Sequence, residues 1–258
     1  MASFLRKRWI EFYHYAIFSR LVSSRTLLKV LFTREPIISI RLKNGADLIL
    51  RKGVDDISVA GYVFVNAYHI PPFEIPKHAV IVDLGSNIGC TIIDYSLRYP
   101  DARVWGVEMD RNNFHICKEN IAPFKNATVS NNAIWFENGI VRYNTNTNND
   151  AYSAVGVHDA QAGNGFIEVE SIRIASFLAR NNICKVDFMK IDIEGAEHEI
   201  FDNDDMSWLN SVSALHIEIH HNDWVRPITE TLEKSGFVII PDKKHWRALF
   251  AKKEIREF

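Results

Sequence analysis

The most regular alternation of apolar and polar positions begins near residue 79. Ala79–Leu84, AVIVDL, is a short apolar run that closes on Asp83-Leu84-Gly85. A run this short and this apolar predicts a strand buried on both faces. Gly89–Arg98 follows as a helix, Arg103–Val107 as a second buried strand, Arg111–Ile121 as a second helix and Ala127–Ser130 as a third strand. Val186–Ile193 and Val212–Ile219 are later apolar strands, with helical segments near Ala196–Phe201 and Trp224–Ser235. Phe237–Ile240 and Arg247–Ala251 predict an antiparallel pair that closes the sheet. Together these elements predict an α/β, Rossmann-like, doubly wound and mostly parallel sheet with an antiparallel C-terminal strand.

The pattern differs upstream. Residues 1–35 read as helical, and Pro36 ends the run because it opposes helix at the residue before it. Ile37–Leu42, Asn44-Gly45 and Ala46–Leu50 predict a β-hairpin. Asp55 or Asp56 is placed to cap a helix running to about Val65, and Pro71, Pro72 and Pro76 mark a loop. The division expected is an N-terminal helical segment and hairpin over 1–53 and a larger unit over 54–258. Asn144–Gly165 is too polar for a core and is expected as a mobile loop near the substrate opening, flanked by Ile140–Tyr143 and Phe166–Glu170 as a strand pair.

Composition narrows the classes. The chain has 258 residues, 47% of them apolar, enough for a sizeable core. A net charge of -2 gives no electrostatic case for nucleic acid. The three cysteines, Cys90, Cys117 and Cys184, form no CxxC pair, and small buried hydrophobes in a reducing, cytoplasmic setting are expected. Met1–Arg34 carries neither a membrane span nor a secretory signal; it is basic and aromatic. Amphipathic helices packed on the domain and a peripheral membrane or partner contact both fit it. Oligomeric state is not encoded in any readable pattern.

The first chemical motif is Asp83-x-Gly85-x-Asn87-x-Gly89, at a strand-to-helix turn. Such turns lie at the carboxyl edge of a parallel sheet, where these folds bind ligands. A carboxylate at this edge can pair with a cationic amine. Glycines let backbone approach a ligand closely. A dinucleotide needs GxGxxG, and Asn87 breaks that fingerprint. Asp-x-Gly-x-x-x-Gly resembles the first motif of class I methyltransferases, which implies S-adenosylmethionine. Asp83, Gly85, Ser86, Asn87 and Gly89 are the candidate cofactor contacts here.

Glu108 follows Asp83 by 25 positions, at the tip of the next strand. A carboxylate there can accept from both ribose hydroxyls. Met109 is expected beside adenine, and Asp110 as the next helix cap. Strand three runs into Ser130-Asn131-Asn132-Ala133, where Asn132 is placed for the adenine amino group and Ala133 leaves room for the ring.

The run VDFMKIDIEGAEHEIF carries the most information. With VDLGSNIGCT it resembles the FkbM family of methyltransferases, whose hallmark appears as Lys190-Ile191-Asp192-Ile193-Glu194-Gly195-Ala196-Glu197. His216-Ile217-Glu218-Ile219-His220 resembles the family's next strand, and the resemblance spans about residues 54 to 240. It implies methyl transfer from S-adenosylmethionine to an oxygen, usually a hydroxyl of a sugar or a secondary metabolite.

Lys190, Asp192 and Glu194 share one strand face. Two accounts of them compete. In one, Asp192 and Glu194 serve the reaction, and Asp192 also touches cofactor. In the other, Lys190 pairs with Glu218, while Asp192 and Glu194 cap the following helix. His216, Glu218 and His220 also share a face, a pattern that can converge on a metal; with no further ligand set evident, no metal is expected. His220, as a neutral imidazole, is the general base expected, beside Asp192, Glu194 and Glu218 as catalytic candidates. The acceptor is expected to be a small molecule or glycan. The rival classes are a nicotinamide oxidoreductase, disfavoured by the broken glycine pattern, and a non-catalytic binding protein that keeps the methyltransferase fold.

Overall fold

The computed structural model of the protein describes residues 12–144, 154–156 and 166–254. Helical turns at 12–18 lead into α1 (Ser24–Phe32), which Ser23 caps by accepting from the Thr26 amide. The helical segment expected over 1–35 thus takes the form of two helical pieces separated at 19–23, and its residues 1–11 lie outside the described ones. The hairpin forms as β1 (Ile37–Arg41) and β2 (Asp47–Arg51) in antiparallel register. Its inward face, Ile38, Ile40, Leu48 and Leu50, joins the same hydrophobic cluster as Ile81, Phe188 and Phe250 of the large sheet. Asn120 fastens it further, accepting from the Ile49 amide and donating to the Ile49 carbonyl.

The next helix reaches the expected end, near Val65, but changes character on the way. α2 (Asp56–Gly61) passes into a π-helical turn over Tyr62–Asn66, and neither acid caps it through its side chain. Asp56 instead receives the Arg51 guanidinium at 2.8 Å and the Arg51 amide at 2.7 Å.

The strand–helix alternation then follows in order: β3 (Val80–Leu84), α3 (Cys90–Arg98), β4 (Arg103–Val107), α4 (Arg111–Ile121) and β5 (Ala127–Ser130). Four short strands come next, β6 (Ala133–Ile134), β7 (Gly139–Asn144), β8 (Ala154–Gly156) and β9 (Phe166–Ile172). They form a separate sheet in the order β6-β9-β7-β8. The expected strand pair is its centre, with Ile140 opposite Glu170 and Tyr143 opposite Ile167. Of the polar segment, Ala154–Gly156 pairs with β7, and 145–153 and 157–165 lie outside the described residues.

The chain returns through α5 (Ile174–Arg180), β10 (Phe188–Ile191), α6 (Glu197–Asn203), β11 (Ala214–Glu218), α7 (Val225–Lys234), β12 (Phe237–Pro241) and β13 (Ala248–Lys253). The large sheet has seven strands in the order β12-β13-β11-β10-β3-β4-β5, with β13 antiparallel to both neighbours. This is the mixed, mostly parallel Rossmann-like sheet expected.

Side-chain alternation splits its two faces cleanly. Val80, Val82, Leu84, Met189, Ile191, Leu215 and Ile217 pack on one side. Ile81, Phe188, Ala214 and Phe250 pack on the other, with the hairpin. A one-residue slip in any strand would exchange these sets. On the hairpin side the apolar rows give way, toward the carboxyl ends, to Asp83, Lys190 and His216 in direct register. Cys90 and Cys117 are buried as expected, whereas Cys184 is exposed. Among the described residues, no helix is long and apolar enough to cross a membrane.

Candidate active site

The register row Asp83–Lys190–His216 forms a polar floor. Asp83 is fully buried, accepts from the Thr91 hydroxyl and lies 3.5 Å from Lys190 Nζ. Lys190, also buried, donates to Asp192 at 3.0 Å. Burial raises the Asp83 carboxyl, partly offset by Lys190 and Thr91. Burial alone would lower the Lys190 ammonium, but Asp192 and Asp83 hold it well above its usual value. The pairing of Lys190 with Glu218 that one account anticipates is not what forms: register sets Asp83 and His216, not Glu218, beside it. Asp83 does find a cationic amine, that of Lys190, and it does not line the cavity described below. His216 turns to Asp242 at 3.1 Å and packs on Phe250, so it stays apart from Glu218 and His220.

The turn Gly85–Gly89 stands directly above. A Cβ on Gly85, whose φ is +86°, would lie 1.7 Å from the Asp192 carbonyl oxygen. The glycine therefore admits the neighbouring strand; close approach of protein backbone is what it provides. All the amides of the turn are engaged within the protein. Gly85 and Ser86 donate to the Val107 carbonyl, Asn87 to Glu108, Ile88 to the Asn87 side chain and Gly89 to the Ser86 carbonyl.

Glu108, at the end of β4, accepts from the Asn87 amide through one oxygen and from the Asp110 amide through the other, each at 2.8 Å. Its burial pushes the carboxyl up to about 7, despite those two donors. Asp110 caps α4 as expected, accepting from the Asn113 amide at 2.8 Å. Asn131 ties the next strand end to this loop by donating to the Glu108 and Met109 carbonyls. Met109 and Asn132 line the cavity, whereas Ala133 is buried in β6 among Trp135, Val141 and Tyr143, and Ile134 reaches the cavity wall in its stead.

The rim is built by an unusual turn. Glu194 (φ 55°) and Gly195 (φ 97°) are both left-handed, a costly conformation for the glutamate that marks functional turns. Helix α6 has no side-chain cap, so Asp192 and Glu194 are not its caps. They converge on His220 instead: Nε2 lies 3.2 Å from Glu194, 3.6 Å from Glu218 and 4.0 Å from Asp192. Nδ1 meets Glu197 at 3.0 Å.

Burial would lower the ring's pKa, but hydrogen bonds to Glu194 and Glu197 and the charges of Glu197 and Asp192 raise it to about 11. That raised value works against the neutral imidazole anticipated near pH 7. The Glu218 carboxyl is likewise pushed up, to about 7, by burial and the Asp192 charge. Asp192 stays below its usual value because Lys190 and His220 outweigh its burial.

Between the Gly85 turn, the tip of β4 and the Asp192–Glu194 rim lies an open cavity of about 890 Å³, counted to its mouth. Tyr68, on the loop before β3, closes one side and packs on His69, His216 and His245. No sequence motif assigns a role to Tyr68, Thr91, Glu197 or Asp242. Glu197 was within reach, being the last acid of the Lys190–Glu197 run; nothing local marks Asp242.

Sheet order and cavity together define a Rossmann-like α/β protein of methyltransferase type. The chain belongs to the methyltransferase FkbM domain family, whose profile matches residues 83–254. No curated protein sequence matches it. Among solved structures it is similar to the precorrin-6y C5,15-methyltransferase of Geobacter metallireducens GS-15, at 14% identity over 79% of this chain and 92% of that one, TM-score 0.42. It is also similar to M. capricolum TrmK in complex with S-adenosyl-homocysteine, at 13% identity over 70% and 64%, TM-score 0.40. P. horikoshii TYW2 in complex with MeSAdo shares 10% identity over 86% and 71%, TM-score 0.43.

Proposed function

We propose that the protein transfers the methyl group of S-adenosylmethionine to a hydroxyl oxygen of a sugar, glycan or secondary metabolite. One observation carries the cofactor choice. Every amide of the Gly85–Gly89 turn is already bonded inside the protein, and the carboxylate of Glu108 stands at the same edge. A pyrophosphate would have to rely on the start of α3 alone, and the glycine that would let it approach the turn is replaced by Asn87. A cofactor with a ribose, an adenine and no phosphate fits what remains. The cavity runs from Glu108 and Met109 to Asp192 and Glu194, so such a group and an acceptor would share it.

Glu108 would accept from the two ribose hydroxyls, each of its oxygens keeping a lone pair beside the amide bond it already holds. Met109, Asn132 and Ile134 would hold the adenine, and the Gly85–Asn87 backbone would border the rest. When bound, S-adenosylmethionine supplies a methyl on a sulfonium, an excellent leaving group. The protein's own work is then alignment and exclusion of water. Asp192 and Glu194, on the cavity wall, are placed to orient the acceptor hydroxyl, whose proton passes to the carboxylate cluster around His220.

Calorimetric titration with S-adenosylhomocysteine, beside NAD, tests the cofactor. Saturable binding of the former, lost in Glu108→Ala, is expected; binding of NAD alone would overturn the reading. With hydroxylated acceptors in hand, Asp192→Asn should lower turnover by about 10²–10⁴-fold, while S-adenosylhomocysteine affinity changes little. Turnover near wild type would remove Asp192 from the reaction.

A further inference from the structure

We propose that Asp192, Glu218 and His220 form a site for a divalent cation of the manganese type at the acceptor end of the cavity. The inference deepens the methyltransferase reading and rests on it for the site's purpose, though not for its existence.

One oxygen or nitrogen from each of the three residues lies within 4.8 Å of the others. Around a six-coordinate ion held at about 2.1 Å, neighbouring ligand atoms are roughly 3 Å apart and opposite ones roughly 4.2 Å apart. His220 Nε2 is 3.6 Å from Glu218 Oε1 and 4.0 Å from Asp192 Oδ1, inside that range, and the ion would displace the Nε2 proton that faces the carboxylates. Glu194 Oε2, at 3.2 Å from the same nitrogen, borders the same space.

Orientation supports the assignment independently of spacing. The other ring nitrogen, Nδ1, is held at 3.0 Å by Glu197, which is 2% exposed and is itself fixed by the Ile193 amide. A carboxylate behind a histidine in this way aims the remaining nitrogen and raises its basicity, the arrangement common behind metal-ligating imidazoles. Lys190 neutralises only part of the cluster, because its ammonium is shared between Asp192 Oδ2 and Asp83. That contact leaves Asp192 Oδ1 turned toward His220.

One nitrogen among carboxylates favours a cation that accepts mixed oxygen and nitrogen donors; thiolates, which would favour zinc, are absent from this set. The residues come from the end of β10 and the end of β11, so the site also differs from the His216-Glu218-His220 face read along one strand. Asp192 and Glu194 line the cavity, so an ion there would meet the acceptor's hydroxyl oxygens. A substrate with two adjacent hydroxyls, as on a sugar, suits its open positions.

The test is titration of the full chain with Mn2+, followed by the electron paramagnetic resonance of the free ion, without cofactor. One saturable site per chain is expected, with nitrogen coupling from one imidazole in the pulsed spectrum. Asp192→Asn and Glu218→Gln should each weaken binding at least tenfold, and Glu168→Gln, on an exposed pair with Arg142, should not. No saturable binding in the wild type, absence of the nitrogen coupling, or equal binding in the variants overturns the proposal. Because S-adenosylhomocysteine binding is measured without Mn2+, failure of the metal site and failure of the methyltransferase reading give different results.

Discussion

Asp83 and Asp192 stand on adjacent strands and share one ammonium, yet they belong to two different regions. Below the cavity, Asp83 has Thr91 and Lys190 for partners and no exposure, and His216 is closed off by Asp242. At the rim, Asp192, Glu194, Glu197 and Glu218 crowd a single imidazole, and three of those acids remain partly exposed. The floor is one buried ion pair, Asp83 with Lys190, beside a histidine whose charged form burial disfavours, and Asp83 Oδ1 and His216 Nδ1 have no hydrogen-bond partner there. The rim concentrates negative charge beyond what its neighbours balance. Buried charge of the first kind keeps a fold in register; charge of the second kind is kept where something else must bind or move.

Lys190→Met should show the largest effect and is the sharpest way to break this contrast. It leaves Asp83 buried without its cation, and loss of one partner of a buried pair costs about 3–5 kcal/mol. Chemical denaturation should show that loss, whereas His220→Gln at the rim should cost far less. Equal losses would mean that floor and rim are one structural network.

The same contrast explains what could be read from the sequence. The β3–α3–β4–α4–β5 alternation was legible because β3 and β4 are largely apolar runs and each helix has one apolar face. Glu108 and the Gly85 turn were legible because both lie at strand ends fixed by that alternation. The four-stranded sheet was only half visible: β7 and β9 alternate, but β6 is two residues long and β8 lies within polar sequence. The partners of the charged residues were not legible at all. Lys190 could be seen as an awkward charge, but choosing Asp83 over Glu218 needs the register of three strands. The raised pKa of His220 likewise depends on a left-handed turn at Glu194-Gly195, which places Glu194 beside it.

Gly85→Ala links the two regions through backbone alone and should have an intermediate effect. The added methyl would meet the Asp192 carbonyl at 1.7 Å in a conformation that alanine disfavours. Overpacking of this kind costs about 1–3 kcal/mol. Since the atom that must give way belongs to Asp192, turnover should fall by more than the stability loss implies. A variant with wild-type thermal stability and turnover would show that strand β10 yields freely, and that the close approach does not position the rim.

The smallest effect expected is also the most specific, because it concerns one proton. Burial pushes the Glu108 carboxyl to about 7. A group whose folded value lies above its unfolded one stabilises the fold fully at low pH and loses that contribution as pH rises through the folded value, here from near 4.5 to about 7. Ligand binding should run in the opposite direction. Two ribose hydroxyls donate to a carboxylate, and the protonated acid would turn one acceptor into a donor. S-adenosylhomocysteine should therefore bind about tenfold more tightly at pH 8 than at pH 6 if ionisation of Glu108 alone controls it. In Glu108→Gln the affinity should be lower and the slope between those pH values flat. If the slope survives in that variant, the titrating group lies at the rim, and the separation of a cofactor half governed by Glu108 from an acceptor half governed by Asp192 would have to be redrawn.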